Sequence, residues 1–158
     1  MKNIVRFIGI IALVAVIGFG VTACSSGGGG GSNNPTPTPS GEFDASLNGT
    51  WVDDDGFEIK ISNGTFELFN EVQMKGTITT SGNNFTMTVT HFYGDEEFDL
   101  EEKWYSRDEV ASLMKQSGAS TAEINEELDE FFPTWKGTYS GNKLTMIEEG
   151  ESYSFTKK

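Results

Sequence analysis

The chain predicts a mainly β fold: an antiparallel up-and-down meander closing into a small barrel, with a helical insert at about 106–132. Three observations carry this. From Leu47 onward apolar residues recur at every second position, and glycine–asparagine turns interrupt them at short intervals. Between Ser106 and Phe132 the apolar spacing lengthens to that of a helix. A meander of about nine strands is too many for a comfortable open sheet of this size. Closure removes the edges, and about eight strands enclose an interior that holds side chains or one small ligand.

Phe57, Ile59 and Ile61 alternate with Glu58, Lys60 and Ser62, which makes a half-buried strand. Asn63-Gly64 turns the chain and Thr65 to Glu71 returns. Val72 to Thr80 leads through Ser81-Gly82-Asn83-Asn84 into Phe85 to Tyr93, where Phe85, Met87, Val89, His91 and Tyr93 share the predicted inner face. Phe98, Leu100 and Trp104 mark a further strand, with Glu97, Asp99 and Glu101 on its solvent side. Trp135 to Tyr139, Lys143 to Glu148 and Ser152 to Thr156 give the last three, joined by Ser140-Gly141-Asn142 and Glu149-Gly150-Glu151.

Within the insert, Ser106 with Glu109 and Ser120 with Glu123 have capping-box spacing, so two helices are expected. Val110, Leu113 and Met114 form one apolar stripe; Ile124, Leu128, Phe131 and Phe132 form a longer one, stopped by Pro133. The string Lys75-Gly76-Thr77-Ile78 with Ser81-Gly82-Asn83 returns as Lys136-Gly137-Thr138-Tyr139 with Ser140-Gly141-Asn142. Either a duplication or two hairpins under the same sterics accounts for it.

The first 41 residues have another character. Lys2 and Arg6 precede an uncharged apolar run from Phe7 to Val21, followed by Thr22-Ala23-Cys24, the parts of a secretory leader. Val21-Thr22-Ala23-Cys24 resembles the lipobox of bacterial lipoproteins, with the sole cysteine at the cut site. The resemblance implies a leader over 1–23 and a Cys24 that is acylated and becomes the mature N-terminus. The competing reading is an uncleaved anchor, since ~20 apolar residues suffice to span a bilayer. Both place the rest of the chain outside the cytoplasm, attached to the cell envelope through the membrane. Ser25 after the cysteine implies, by the same resemblance, onward transport to the outer membrane in a Gram-negative host. Residues 24–41 add a glycine- and proline-rich tether that cannot bury apolar surface and holds the domain at 42–158 on the order of 20–30 Å from the lipid.

Charge and chemistry exclude more than they include. The chain holds 24 acids and 11 bases; without Lys2 and Arg6 the balance is 24 to 9, or −15. That argues against nucleic acid as a partner. One cysteine and one histidine leave no cofactor or multi-ligand metal motif. Asp53-Asp54-Asp55-Gly56 lacks the spacing of a calcium loop and reads as a turn. The acids Asp95 to Glu102 read as a solvated face, and no nucleophile motif accompanies His91, so no enzyme is expected.

Leu47-Asn48-Gly49-Thr50-Trp51 resembles the opening of the lipocalins, a Gly-x-Trp whose tryptophan plugs the closed barrel end. Gly141-Asn142-Lys143-Leu144-Thr145-Met146 is similar to the closing hairpin of bacterial lipocalin-like domains. The lipocalin Thr-Asp-Tyr signature is absent, and no arginine lies near the last strand to stack on Trp51; Lys157 and Lys158 are the nearest cations. On this register Phe57, Phe66, Phe85, Trp104, Trp135, Tyr139, Tyr153 and Phe155 face inward. They form a packed core or, with Trp51 and His91, the walls of a ligand cavity. Two functions follow: binding of a small apolar or amphipathic ligand, or a solid barrel whose acidic face meets an envelope or host protein.

Overall fold

A computed structural model describes residues 41–69, 72–148 and 150–158. The leader, Cys24 and the tether to residue 40 lie outside the described residues. After a single 3-10 turn at Ala45–Leu47 come β1 (Gly49–Val52), β2 (Glu58–Ser62), β3 (Thr65–Phe69), β4 (Met74–Ser81) and β5 (Asn84–Gly94). Next are β6 (Lys103–Ser106), α1 (Arg107–Gln116) and α2 (Thr121–Phe131), then β7 (Thr134–Ser140), β8 (Lys143–Glu148) and β9 (Glu151–Lys157).

Each of β1 to β5 pairs antiparallel with the next; β5 pairs with β7, β7 with β8, β8 with β9, and β9 returns to β1. The meander therefore closes into an eight-stranded barrel, as the alternation and turn spacing predict. The ninth strand adds no wall position. β6 lies along β5 with His91 opposite Ser106, and β7 continues along the same edge with Thr88 opposite Thr134. Thus β6 and β7 are two halves of one wall strand, and the helical hairpin is inserted at the break. Val89 N–H, level with the break, donates to Pro133 O at 3.1 Å.

Turn chemistry sets the ends. Asn63 and Gly64 both have positive φ (+49° and +80°), the hairpin geometry that matches strand twist. Gly82 and Gly141 take φ of +57° and +59° as first residues of equivalent two-residue loops, so the repeated motif builds the same turn twice. Its other glycines also share a role. Gly76 lies opposite Phe66 and Gly137 opposite Phe85, and a Cβ at either would collide with the facing ring and with a neighbouring carbonyl. Both capping boxes form, and Pro133 follows the end of α2.

Two expectations are corrected. Phe98 and Leu100 belong to no strand: Glu96–Phe98 is a 3-10 turn, Asp99 has φ of +53°, and β6 begins at Lys103. The carbonyl of Asp95 gathers the amides of Phe98 and Leu100, so this acidic stretch folds on itself and does not alternate. The second correction is on β5. Lys75 pairs with His91 and Gly76 with Val89, so Thr90 is an extra residue, a bulge. A bulge reverses which side chains face inward: Phe85, Met87 and Val89 are buried before it, Phe92 after it. His91 and Tyr93 are thereby turned out of the barrel interior.

Candidate functional site

At the closed end, Leu47 and Trp51 are wholly buried, and Trp51 Nε1 donates to Leu47 O at 2.8 Å. Lys157 Nζ sits 5.5 Å from the centre of the Trp51 ring and donates to Ser46 O at 2.7 Å. Lysine here supplies the cation over the plugging tryptophan. Tyr139 Oη lies 2.8 Å from both Asp44 Oδ2 and Gly82 O, tying the first described residues to the β4–β5 turn. The hydrogen bond from the Ser46 amide, then that from Tyr139, hold the Asp44 carboxyl below its ordinary range. Burial and that carboxylate raise the Tyr139 hydroxyl.

The opposite end is a mouth. An apolar cavity of about 60 Å³ lies there, walled by Phe57, Leu68, Trp135, Met146, Tyr153 and Phe155. The C-terminal end of α2 brings Phe131 and Glu130 to it, and Phe98 and Met74 complete the wall. Trp135 Nε1 donates to Glu148 Oε1 at 2.7 Å, which fixes the indole and places a carboxylate on the cavity wall. Phe92 anchors the α2 side: its ring stacks 5.1 Å from Phe131 and meets Phe98 edge-on at 5.8 Å. Burial, then the neighbouring Glu130 and Glu126, pushes the Glu127 carboxyl above its usual range, so this turn of α2 carries concentrated negative charge.

Of the residues predicted as ligand walls, Phe57 and Trp135 line this cavity, with Tyr153 and Phe155 from the wider inward set. Trp51, Phe85 and Tyr139 are buried in the closed half, because their strand positions lie next to the hairpins at that end. His91 and Trp104 lie elsewhere, on the outer face beside β6. There Trp104 meets Tyr93 edge-on at 5.4 Å, and Lys75 Nζ rests 4.0 Å from its ring centre. The Lys75 side chain is 1% exposed, shielded although it points outward. Burial lowers both Lys75 and His91; the Lys75 charge lowers His91 further, while Glu109 raises it in part. Thr90 Oγ1 lies 3.0 Å from His91 Nδ1.

Phe98, Glu130 and Glu148 are site residues the sequence patterns did not single out. Phe98 is reached through an irregular turn, and the carboxylates, one on α2 and one on β8, line one cavity only in the folded barrel. One signal was available for the bulge: Phe92 is apolar where strict alternation along β5 calls for a polar residue.

The acidic turn at Asp53 has a structural occupation: Asp53 Oδ1 accepts from Asp55 N at 3.0 Å and from Phe57 N at 2.7 Å. Among the described residues no helix is long and apolar enough to cross a membrane. The architecture is that of a small lipocalin-like barrel, closed by a buried tryptophan at one end and open to an apolar cavity at the other. Compared with protein families, curated proteins and solved structures, the chain matches none.

Proposed function

We propose that the protein is a non-enzymatic envelope lipoprotein, anchored through acylated Cys24, whose barrel mouth binds the end of a small apolar or amphipathic molecule. The cavity at the mouth is the observation that supports it. Its wall is almost entirely apolar, and the rim offers carboxylates to orient a polar head. At about 60 Å³ it is far below the ~300–1,000 Å³ of pockets that enclose a drug-sized ligand. The occupant therefore inserts one compact end and leaves its remainder on the rim. A whole lipid does not fit.

The filled closed half favours a second reading, a solid interaction module with an acidic face. Native mass spectrometry of residues 42–158, purified without detergent from their own host, separates the two. A reproducible excess mass that vanishes on denaturation supports ligand binding. A bare domain that gains mass only with a basic envelope or host protein sinks it. The anchor is tested separately: Cys24→Ser abolishes palmitate incorporation and releases the chain from the membrane fraction, and retained label would disprove lipidation at this residue.

A further inference from the structure

The walls of the mouth say more about the occupant than its size does. Six of the side chains around the cavity are aromatic: Phe57, Phe98, Phe131, Trp135, Tyr153 and Phe155. Among the described residues two are carboxylates, Glu130 and Glu148, and none is lysine, arginine or histidine. A neutral alkyl group has no need of so many rings or of paired acids. Aromatic faces carry negative potential and attract a cation that sheds water cheaply, and a methylated ammonium is such a cation. A carboxylate at the rim supplies the counter-charge without requiring a hydrogen bond from the ligand.

We propose that the mouth is a site for a small quaternary ammonium group, held by the aromatic wall and neutralised by Glu148 and Glu130. This rests on the ligand-binding reading above and names the chemistry of its occupant. Three features support it independently of the ring census. Glu148 is positioned by the Trp135 indole at 2.7 Å, so the charge is built into the wall and is not left on a mobile surface chain. Glu130 stands at the cavity near the C-terminal end of α2, with Glu126 and Glu127 on the same stretch of helix, so that helix end is acidic. The cavity also suits a compact head of a few heavy atoms better than an extended chain.

The test uses residues 42–158, which contain every strand of the closed barrel and its whole core. Choline and 3,3-dimethylbutan-1-ol have nearly the same shape, but only choline is charged. Each is titrated while tryptophan fluorescence is followed, with isothermal calorimetry as a second readout. Choline is expected to bind at least about tenfold tighter than the neutral isostere, and Glu148→Gln, which retains an acceptor for Trp135, to remove most of that difference. Trp135→Phe is expected to abolish the fluorescence response and weaken calorimetric binding. If the alcohol binds as well as choline or better, the mouth reading stands and the ammonium inference is overturned. If neither binds up to about 100 mM while the barrel is folded by circular dichroism, both are overturned. Selectivity unchanged in both Glu148→Gln and Glu130→Gln would equally overturn the assignment of the counter-charge.

Discussion

Gly137 has no room for a side chain, because the Phe85 ring and the Thr145 carbonyl occupy the space a Cβ would fill. Gly141, four residues on, faces open solvent, and only its φ of +59° resists substitution. Gly137→Ala is therefore expected to cost about 3 kcal/mol through overpacking. Gly141→Ala should cost about 1 kcal/mol through backbone strain alone. Urea midpoints at constant slope measure both, and equal losses would refute the packing account. His91 makes a different prediction. Its folded value is lowered, chiefly by burial and then by Lys75, so just below about pH 6.5 the unfolded chain takes up a proton that the folded chain refuses. Stability consequently falls as pH falls through that window. His91→Gln should erase this upper part of the acid profile. It should leave the later loss below about pH 4.5, where Glu109 and Glu123, both lowered by their capping hydrogen bonds, become protonated. Glu127, whose value is raised, acts in the opposite sense and at higher pH, adding stability as pH falls through its folded value toward about 4.5. A melting-temperature series at closely spaced pH decides whether the upper step is absent in the variant.

The helical hairpin was legible from Ser106, Ser120 and the two apolar stripes, because capping and helical spacing are local properties. What the hairpin does was not. It interrupts a wall strand, and its second helix closes over Phe92 and Phe98 through Phe131 and Phe132. Arg107 binds the two helices from the start of α1, donating to Leu128 O at 3.0 Å and pairing with Asp129 at 2.6 Å. Phe131→Ala should then cost about 3–5 kcal/mol and enlarge the mouth. Ser120→Ala should cost about 1 kcal/mol and loosen α2 alone. Hydrogen exchange distinguishes them: the first raises exchange in β5 and β6 as well as in α2, the second in α2 only. If Phe131→Ala left β5 and β6 protected, α2 would be a cover and no part of the core. The strand alternation was equally legible for β2, β3 and β7, where Ile59, Ile61, Phe66, Trp135 and Tyr139 are buried as predicted. On β5 it failed after Thr90, since the bulge reverses the inward set, and the apolar Phe92 was its one mark in the sequence.

The whole molecule carries its acids on a barrel of roughly a hundred residues, and residues 42–158 hold 24 acids against 9 bases. Self-repulsion on that scale opposes compactness, and salt screens it to a Debye length of ~3 Å at 1 M. Raising sodium chloride from low to high concentration is expected to raise the melting temperature of residues 42–158. An unchanged or lower value would show that the acids are offset by local pairing, of which Lys158 with Glu58 at 3.1 Å is one case. By itself the sequence determined the class of fold, the turns, both helices, the tryptophan at the start of β1 and the sharp change of character after the tether. All of these depend on neighbours within a few residues or on composition. Only the tertiary structure decided that nine strands make eight wall positions, that Trp104 and His91 face outward, and that Phe98, Phe131, Glu130 and Glu148 meet around one small cavity. Barrel closure sets those juxtapositions. It joins residues far apart in the chain through a register that one bulged residue can reverse.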